Sequence, residues 1–197
     1  MPWNEVISDL EEKLINTLKG TFRPMDGIPF FRVLYPPKQE REAIKEFEAL
    51  AERLKQRGWK AELLSLTQVL EKALMDLLNC KNTKDLFTQL IELERHNNHT
   101  ELKYKLGEDE NLPEKMKEVI ISYVKDQNLT KNSVLFLVRS GVIYPFMTPS
   151  HLLKRLEGKV QCCVVITYPG TNIGCFLNSE RKDLYGSYYR GEVILWR

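Results

Sequence analysis

The stretch NSVLFLVRSGVIYPFMTPSHLLKRLEGKVQCCVVITYPGTNIGCF, residues 132–176, contains the two segments that decide the fold. Two apolar runs, Ser133–Val138 (SVLFLV) and Val160–Thr167 (VQCCVVIT), are each followed by a turn of small or rigid residues. A short segment with helical spacing lies between them and begins at Thr148-Pro149, where the hydroxyl can cap a helix. Continuous apolar runs joined by a helix are typical of buried parallel strands. The stretch therefore predicts two parallel strands whose carboxyl ends lie at one edge of a sheet.

The first third of the chain repeats this pattern. An amphipathic helix over residues 2–19 precedes a strand at Ile28–Tyr35, a helix over residues 38–57 and a strand at Trp59–Leu66. The strand-to-strand spacing of about 30 residues is that of a crossover unit. Arg32 interrupts the first strand, and we expect it at an edge or end of the sheet with a carboxylate partner.

Further helices are predicted to begin at Thr67, Thr83 and Pro113, and strands at Ile173–Leu177 and Glu192–Trp196. The polar residues 96–111 predict a surface excursion. We therefore predict a single α/β domain over residues 1–197. It has a mainly parallel, Rossmann-like sheet of four to six strands with helices on both faces.

Composition excludes several classes of protein. The formal net charge of +2 is too small to predict nucleic-acid binding, so any contact with nucleic acid is expected to be indirect. No apolar run approaches the ~20 residues of a membrane-spanning helix, and the acidic, amphipathic start is not a secretory signal. The adjacent cysteines Cys162 and Cys163 point to opposite faces of a strand, which favours buried thiols in a reducing cytoplasm over disulfides.

The residues that catalysis or cofactor binding would need are missing from the strand ends. The turn after the first strand reads Tyr35-Pro36-Pro37-Lys38, and its prolines supply no backbone N–H to cradle a phosphate. Ser140 lacks the glycines of a nucleophile elbow, and a pair of His151 with Cys162 or Cys163 would require a mid-strand nucleophile. The cysteines and the three histidines lack zinc-site spacing. We expect no catalytic residues, no metal and no cofactor.

What the strand ends do carry are residue types enriched at protein interfaces, namely tyrosine, arginine and rigid proline turns. The predicted partner-binding residues are Tyr35, Pro36, Pro37, Lys38, Arg139, Gly141, Tyr144, Pro145, Tyr168, Pro169, Gly170 and Thr171. The alternative, that these are tight turns whose tyrosines cover the core, remains open at this point.

The run FRVLYPPKQER (Phe31–Arg41) resembles the strand, double proline and charged helix start of the BrxB family. The resemblance continues in VLFLVRSGVIYPFMTPSHLLKRLEG (Val134–Gly158), in VVITYPGT (Val164–Thr171) and in Tyr188-Tyr189-Arg190. These blocks lie in the family's order and, with the helices between them, extend over nearly the whole chain. Arg139 departs from the pattern, which often has a small residue there, and Lys81–Asn111 shows the least resemblance.

BrxB proteins are small components of the BREX bacteriophage-exclusion systems of bacteria and archaea. The resemblance implies a non-catalytic, cytoplasmic assembly factor that links the alkaline-phosphatase-like PglZ and the large ATPase BrxC. Two other functions stay open from the residues. One is a degenerate nucleotide-binding or nucleic-acid-processing enzyme using Lys38, Arg139 and Thr171. The other is direct DNA contact through a basic surface comprising Lys154, Arg155, Lys159, Arg181 and Lys182.

Overall fold

The structure is a computed structural model that describes residues 3–24, 27–96, 104–108, 111–170 and 191–196. Within these ranges six α-helices and five strands follow one another along the chain. The helices are α1 (Trp3–Leu18), α2 (Glu40–Gln56), α3 (Leu66–Leu77), α4 (Thr83–His96), α5 (Asn111–Asp126) and α6 (Pro149–Leu156). The strands are β1 (Phe30–Tyr35), β2 (Lys60–Ser65), β3 (Ser133–Val138), β4 (Cys163–Pro169) and β5 (Glu192–Leu195).

The five strands form one sheet in the order β2-β3-β4-β1-β5, and every neighbouring pair is parallel. The predicted α/β class, with a Rossmann-like parallel sheet and helices on both faces, is confirmed. β3 and β4 are hydrogen-bonded neighbours, with Val134 opposite Cys163 and Leu137 opposite Ile166. The two strands that the sequence singled out therefore lie side by side in the sheet.

Alternation along the strands divides the core into two parts, one on each face of the sheet. On the first face α1 and α2 cover side chains such as Phe31, Val33 and Phe136. On the second face α3, α5 and α6 cover Leu34, Leu135 and Leu137 among others. All six residues of β3 are buried, which is why its sequence is apolar from Val134 to Val138 rather than alternating.

Aromatic rings fill much of the core on the first face. The Trp3 ring lies 5.5 Å from the Tyr35 ring, and the Phe47 ring of α2 lies 6.0 Å from that of Phe136. Tilted packing of this kind adds to the free energy gained by burying the rings. α1 and α2 are thus held directly on the middle of the sheet.

Helix caps explain where two helices begin. Thr148 caps α6 by accepting a hydrogen bond from the His151 N–H, as its sequence predicted. The predicted helix start at Thr67 is wrong by one residue, because the hydroxyl oxygen of Ser65 accepts from the Thr67 N–H and the helix begins at Leu66. Thr67 is therefore a helical residue in the first turn of α3.

The position predicted for Arg32 is also wrong. Arg32 is only 5% exposed, and β1 lies between β4 and β5 rather than at an edge of the sheet. The expectation failed because β5, which comes last in the chain, pairs with the outer side of β1. Sequence order gives no sign of that pairing.

The predicted excursion at residues 96–111 falls partly outside the described residues. Within it, Tyr104–Glu108 form one turn of π-helix, and Leu106 is buried in the core on the second face. The prediction of a purely surface segment is therefore wrong at Leu106. The predicted strand at Ile173–Leu177 lies outside the described residues.

No helix in the described part of the chain has the length and apolar character needed to cross a bilayer.

Candidate functional site

The carboxyl ends of β1, β3 and β4 meet around a shallow crevice. After β1 the chain enters α2 on the first face, whereas after β3 it reaches α6 on the second face. β4 lies between β1 and β3 in the sheet, and the crevice forms where their chain segments leave toward opposite faces. Ligands of parallel sheets usually bind in such a crevice outside the carboxyl ends of the strands. Its volume is about 250 Å³, and its lining comprises Pro37, Glu40, Thr67, Arg139, Gly141, Val142 and Pro169.

Arg139 is the exposed cation at this crevice. It follows β3 directly, and its φ of 61° places the backbone in the left-handed region. That conformation costs a residue with a Cβ about 1–2 kcal/mol relative to ordinary backbone. Strain of this kind at the end of a central strand motivates a functional hypothesis, because glycine would adopt the same turn at lower cost.

Glu40 lies beside Arg139 and is held by a buried tyrosine. The hydroxyl of Tyr35, at the end of β1, donates a hydrogen bond to Oε2 of Glu40 at the start of α2. Burial, together with the charge of Glu40, raises the pKa of Tyr35. Burial also raises the pKa of Glu40, although the hydrogen bond from Tyr35 and the charge of Arg139 act in the opposite direction. The carboxyl group of Glu40, which lines the crevice, is therefore already paired within the protein.

The burial of Glu40 differs from what helical periodicity alone indicates. That periodicity puts Glu40 among the polar residues of α2, whereas in the structure it is half-buried against Tyr35. The reason is that Glu40 opens the helix directly above the end of β1. The sign of this burial in the sequence is that Glu40 lies close to the double proline Pro36-Pro37.

A second polar cluster joins the end of β3 to β4. The Ser140 hydroxyl donates to the Thr167 carbonyl oxygen at 2.6 Å, and the Thr167 hydroxyl donates to Ser140 Oγ at 3.1 Å. The Ser140 N–H donates to Thr167 Oγ1 at 3.3 Å, and both residues are buried. Since the proton of the Ser140 hydroxyl is engaged by a main-chain carbonyl, this serine is arranged as a structural tie rather than as a nucleophile.

The predicted partner-binding residues separate by exposure. Two of them, Tyr35 and Tyr168, are core residues that are 0% and 2% exposed. Lys38 and Arg139 are exposed; Pro36, Pro37, Gly141, Tyr144 and Pro145 are half-buried; and Pro169 and Gly170 are buried. Thr171 lies outside the described residues.

The expectation that Tyr35 and Tyr168 form part of a surface is therefore corrected. Tyr168 lies inside β4, which continues to Pro169, and helices cover both faces of the sheet at that point. Tyr35 packs on Trp3 beneath α1. The alternative that these tyrosines cover the core is the one that the structure supports.

The thiols are poor candidates for chemistry. Cys162 and Cys163 are buried in the cores on opposite faces of the sheet, as alternation predicted. Burial raises the pKa of Cys162 to about 11 and that of Cys163 to about 12, so both are protonated at neutral pH. In the described residues, no three His, Cys, Asp or Glu side chains are grouped so that they could hold a metal ion.

Replacing Glu40 with glutamine is expected to change how stability depends on pH. Because the pKa of Glu40 is raised in the folded chain above its ordinary value of 4.5, the folded state binds this proton more tightly than the unfolded state. The stabilising effect of that proton is complete below the unfolded pKa and is lost as pH rises through the folded pKa. The stability of the Glu40→Gln variant relative to the parent should therefore rise with pH through this window and then level off.

Urea unfolding at a series of pH values from about 4 to 8 measures this difference. Glu48→Gln on the exposed side of the same helix is the matched control and should show no such rise. A relative stability of Glu40→Gln that falls with pH would contradict the assignment.

The chain is a doubly wound α/β protein with a parallel sheet. At the carboxyl ends of its strands, Arg139 is exposed above polar groups that are hydrogen-bonded to one another. The family model described as "BREX protein BrxB" matches residues 67–193. The chain belongs to the BrxB family and is a component of the BREX phage-exclusion systems. No curated protein and no solved structure matches the chain significantly.

The matched span confirms the family that the sequence resembles. It includes the blocks at Val134–Gly158 and Val164–Thr171, and also Lys81–Asn111, where the resemblance was weakest. The block at Phe31–Arg41 lies outside it. The Arg139 turn is therefore inside the family match, whereas the double-proline turn beside it is not.

Proposed function

We propose that the chain is a non-catalytic assembly factor of a BREX phage-defence complex in the bacterial cytoplasm. In this proposal it links a PglZ-like protein of the phosphatase fold to a BrxC-like ATPase. Family membership supports work within a multi-protein defence system, and the two partners follow from the resemblance to BrxB proteins. One structural observation carries the proposal. At the carboxyl edge the polar groups pair with one another, while Arg139 stays exposed above them.

The geometry of the crevice favours a scaffold over an enzyme. Its volume of about 250 Å³ is below the ~300–1,000 Å³ of typical ligand pockets. The hydroxyl groups of Tyr35 and Ser140 already donate to protein acceptors, so neither is available as a general acid or nucleophile without breaking a buried bond.

The proposed docking site is the carboxyl-edge surface, defined as the exposed and half-buried members of the predicted set. It consists of Pro36, Pro37, Lys38, Arg139, Gly141, Tyr144 and Pro145. The exposed members, Lys38 and Arg139, are both cations, which suits an acidic surface on the partner. Proline turns and the tight turn at Ser140–Ile143 hold the surface with little conformational freedom to lose on binding.

Purified components test the proposal. The chain is mixed with a PglZ-like protein of the same BREX system, and the mixture is analysed by gel filtration with light scattering. We expect one peak whose mass equals the sum of the two proteins, and no hydrolysis of ATP or of phosphodiesters by the chain alone. Separate peaks at micromolar concentrations, or turnover by the isolated chain that Arg139→Ala abolishes, would refute it.

A further inference from the structure

Helix α4 leaves an apolar face in solvent. Of its side chains only Leu86 is buried, and it reaches the core on the second face together with the half-buried Leu90. On the outer side Phe87 is 60% exposed and Ile91 is 48% exposed. Burying these two side chains against a partner would remove apolar area from water, which is the main driving force of association.

The residues around this apolar pair follow a helical pattern. Lys84, Phe87, Ile91 and Glu94 recur at steps of three, four and three residues, so they share one face of α4. All four are exposed. Lys84 and Glu94 form no ion pair with other described residues. The α4 face, defined by these four residues, thus has a positive end, an apolar centre and a negative end.

We propose that the α4 face binds the same face of a second copy of this chain. In an antiparallel helix pair related by a two-fold axis, each residue faces a residue of the second copy. The midpoint of their two residue numbers is then the same for every facing pair. The midpoint of Phe87 and Ile91 is also the midpoint of Lys84 and Glu94. One register therefore places Phe87 on the second copy's Ile91 and, at the same time, Lys84 beside the second copy's Glu94.

This self-complementarity decides between a second copy and an unrelated partner. A surface that binds a different protein has no reason to match its own reverse, whereas a two-fold contact requires it. The 14 residues of α4 span only ~21 Å, so the contact lies at the small end of specific interfaces. The dimer is accordingly weak and forms with increasing concentration. The inference does not rest on the proposed function.

Sedimentation velocity over about 1–200 μM protein tests the dimer. The parent chain is expected to pass from monomer to dimer within this range. Lys84→Glu and Glu94→Lys, taken singly, each place like charges opposite one another in both halves of the contact. Each is expected to raise the dissociation constant by about tenfold or more.

The variant carrying both changes restores opposite charges across the two-fold axis and should return the dissociation constant to near the parent value. Glu48→Lys, an exposed charge reversal on α2, is the matched control and should leave association unchanged. Far-UV circular dichroism and thermal unfolding report whether each variant is folded. A chain that is monomeric throughout, or single reversals that the double reversal does not rescue, would overturn the proposal. Neither result would change binding to the PglZ-like protein, so this failure is distinct from that of the proposed function.

Discussion

Replacing Phe136 with alanine is expected to lower the free energy of unfolding by about 3–5 kcal/mol. Phe136 is buried in the middle of β3, and its ring packs on that of Phe47 from α2. Truncation removes apolar contacts on the first face of the sheet and leaves a cavity that close-packed neighbours cannot fill. A loss of this size is a large fraction of the stability of an ordinary domain. Urea unfolding followed by circular dichroism measures it.

Phe87→Ala makes the same chemical change at an exposed position of α4. Measured at a dilution at which the α4 face is unpaired, it should alter the free energy of unfolding by less than about 0.5 kcal/mol. Equal losses of unfolding free energy in the Phe136→Ala and Phe87→Ala variants would contradict the placement of β3 in a sheet that helices cover on both faces.

Reversing the charge of Arg139 is expected to weaken binding to the PglZ-like protein by about 30-fold or more. Truncating an arginine hot spot at the centre of an interface costs about 2 kcal/mol or more of binding free energy. Reversing its charge adds repulsion by an acidic partner surface. Calorimetric titration of the partner with the Arg139→Glu variant measures the loss. Lys131→Glu, an exposed reversal at the amino end of β3, is the matched control and should bind as the parent does.

Because Arg139 also lies near Glu40, a second variant separates binding from folding. Arg139→Gly keeps the left-handed turn without its strain and removes the whole side chain, including the guanidinium group. We expect it to fold with unchanged or slightly higher stability and still to lose partner affinity. Full binding by Arg139→Gly would show that the turn, and not the side chain, is what the chain requires at this position.

The features of this fold that depend on residues close together in the sequence can be predicted from it, whereas those that depend on contacts between distant residues cannot. The bounds predicted for β3, Ser133–Val138, agree with the structure because a short, continuous apolar run between polar residues has few alternatives. The second apolar run predicts a strand at Val160–Thr167, whereas β4 is Cys163–Pro169. A proline can end a parallel strand, so Tyr168-Pro169 read as a turn. That shift moved Tyr168 from the expected surface into the core.

The remaining differences arise from contacts between distant parts of the chain. Arg32 is buried because β5 pairs with β1, and Glu40 is half-buried because Tyr35 lies beneath the first turn of α2. Helical and strand periodicity describe one element at a time and carry no information about which element lies next to it. The exposed turn at Arg139 follows directly from the end of β3, and for that reason its position could be predicted.

The measurement that tests the central claim most directly is whether the chain brings its two proposed partners together. Mass photometry of the PglZ-like protein and the BrxC-like ATPase is recorded with and without the chain, and with Arg139→Gly. The adaptor function predicts a species containing all three proteins that forms only when the parent chain is present and is depleted with the variant. A complex of the two partners that forms equally well without the chain would contradict it.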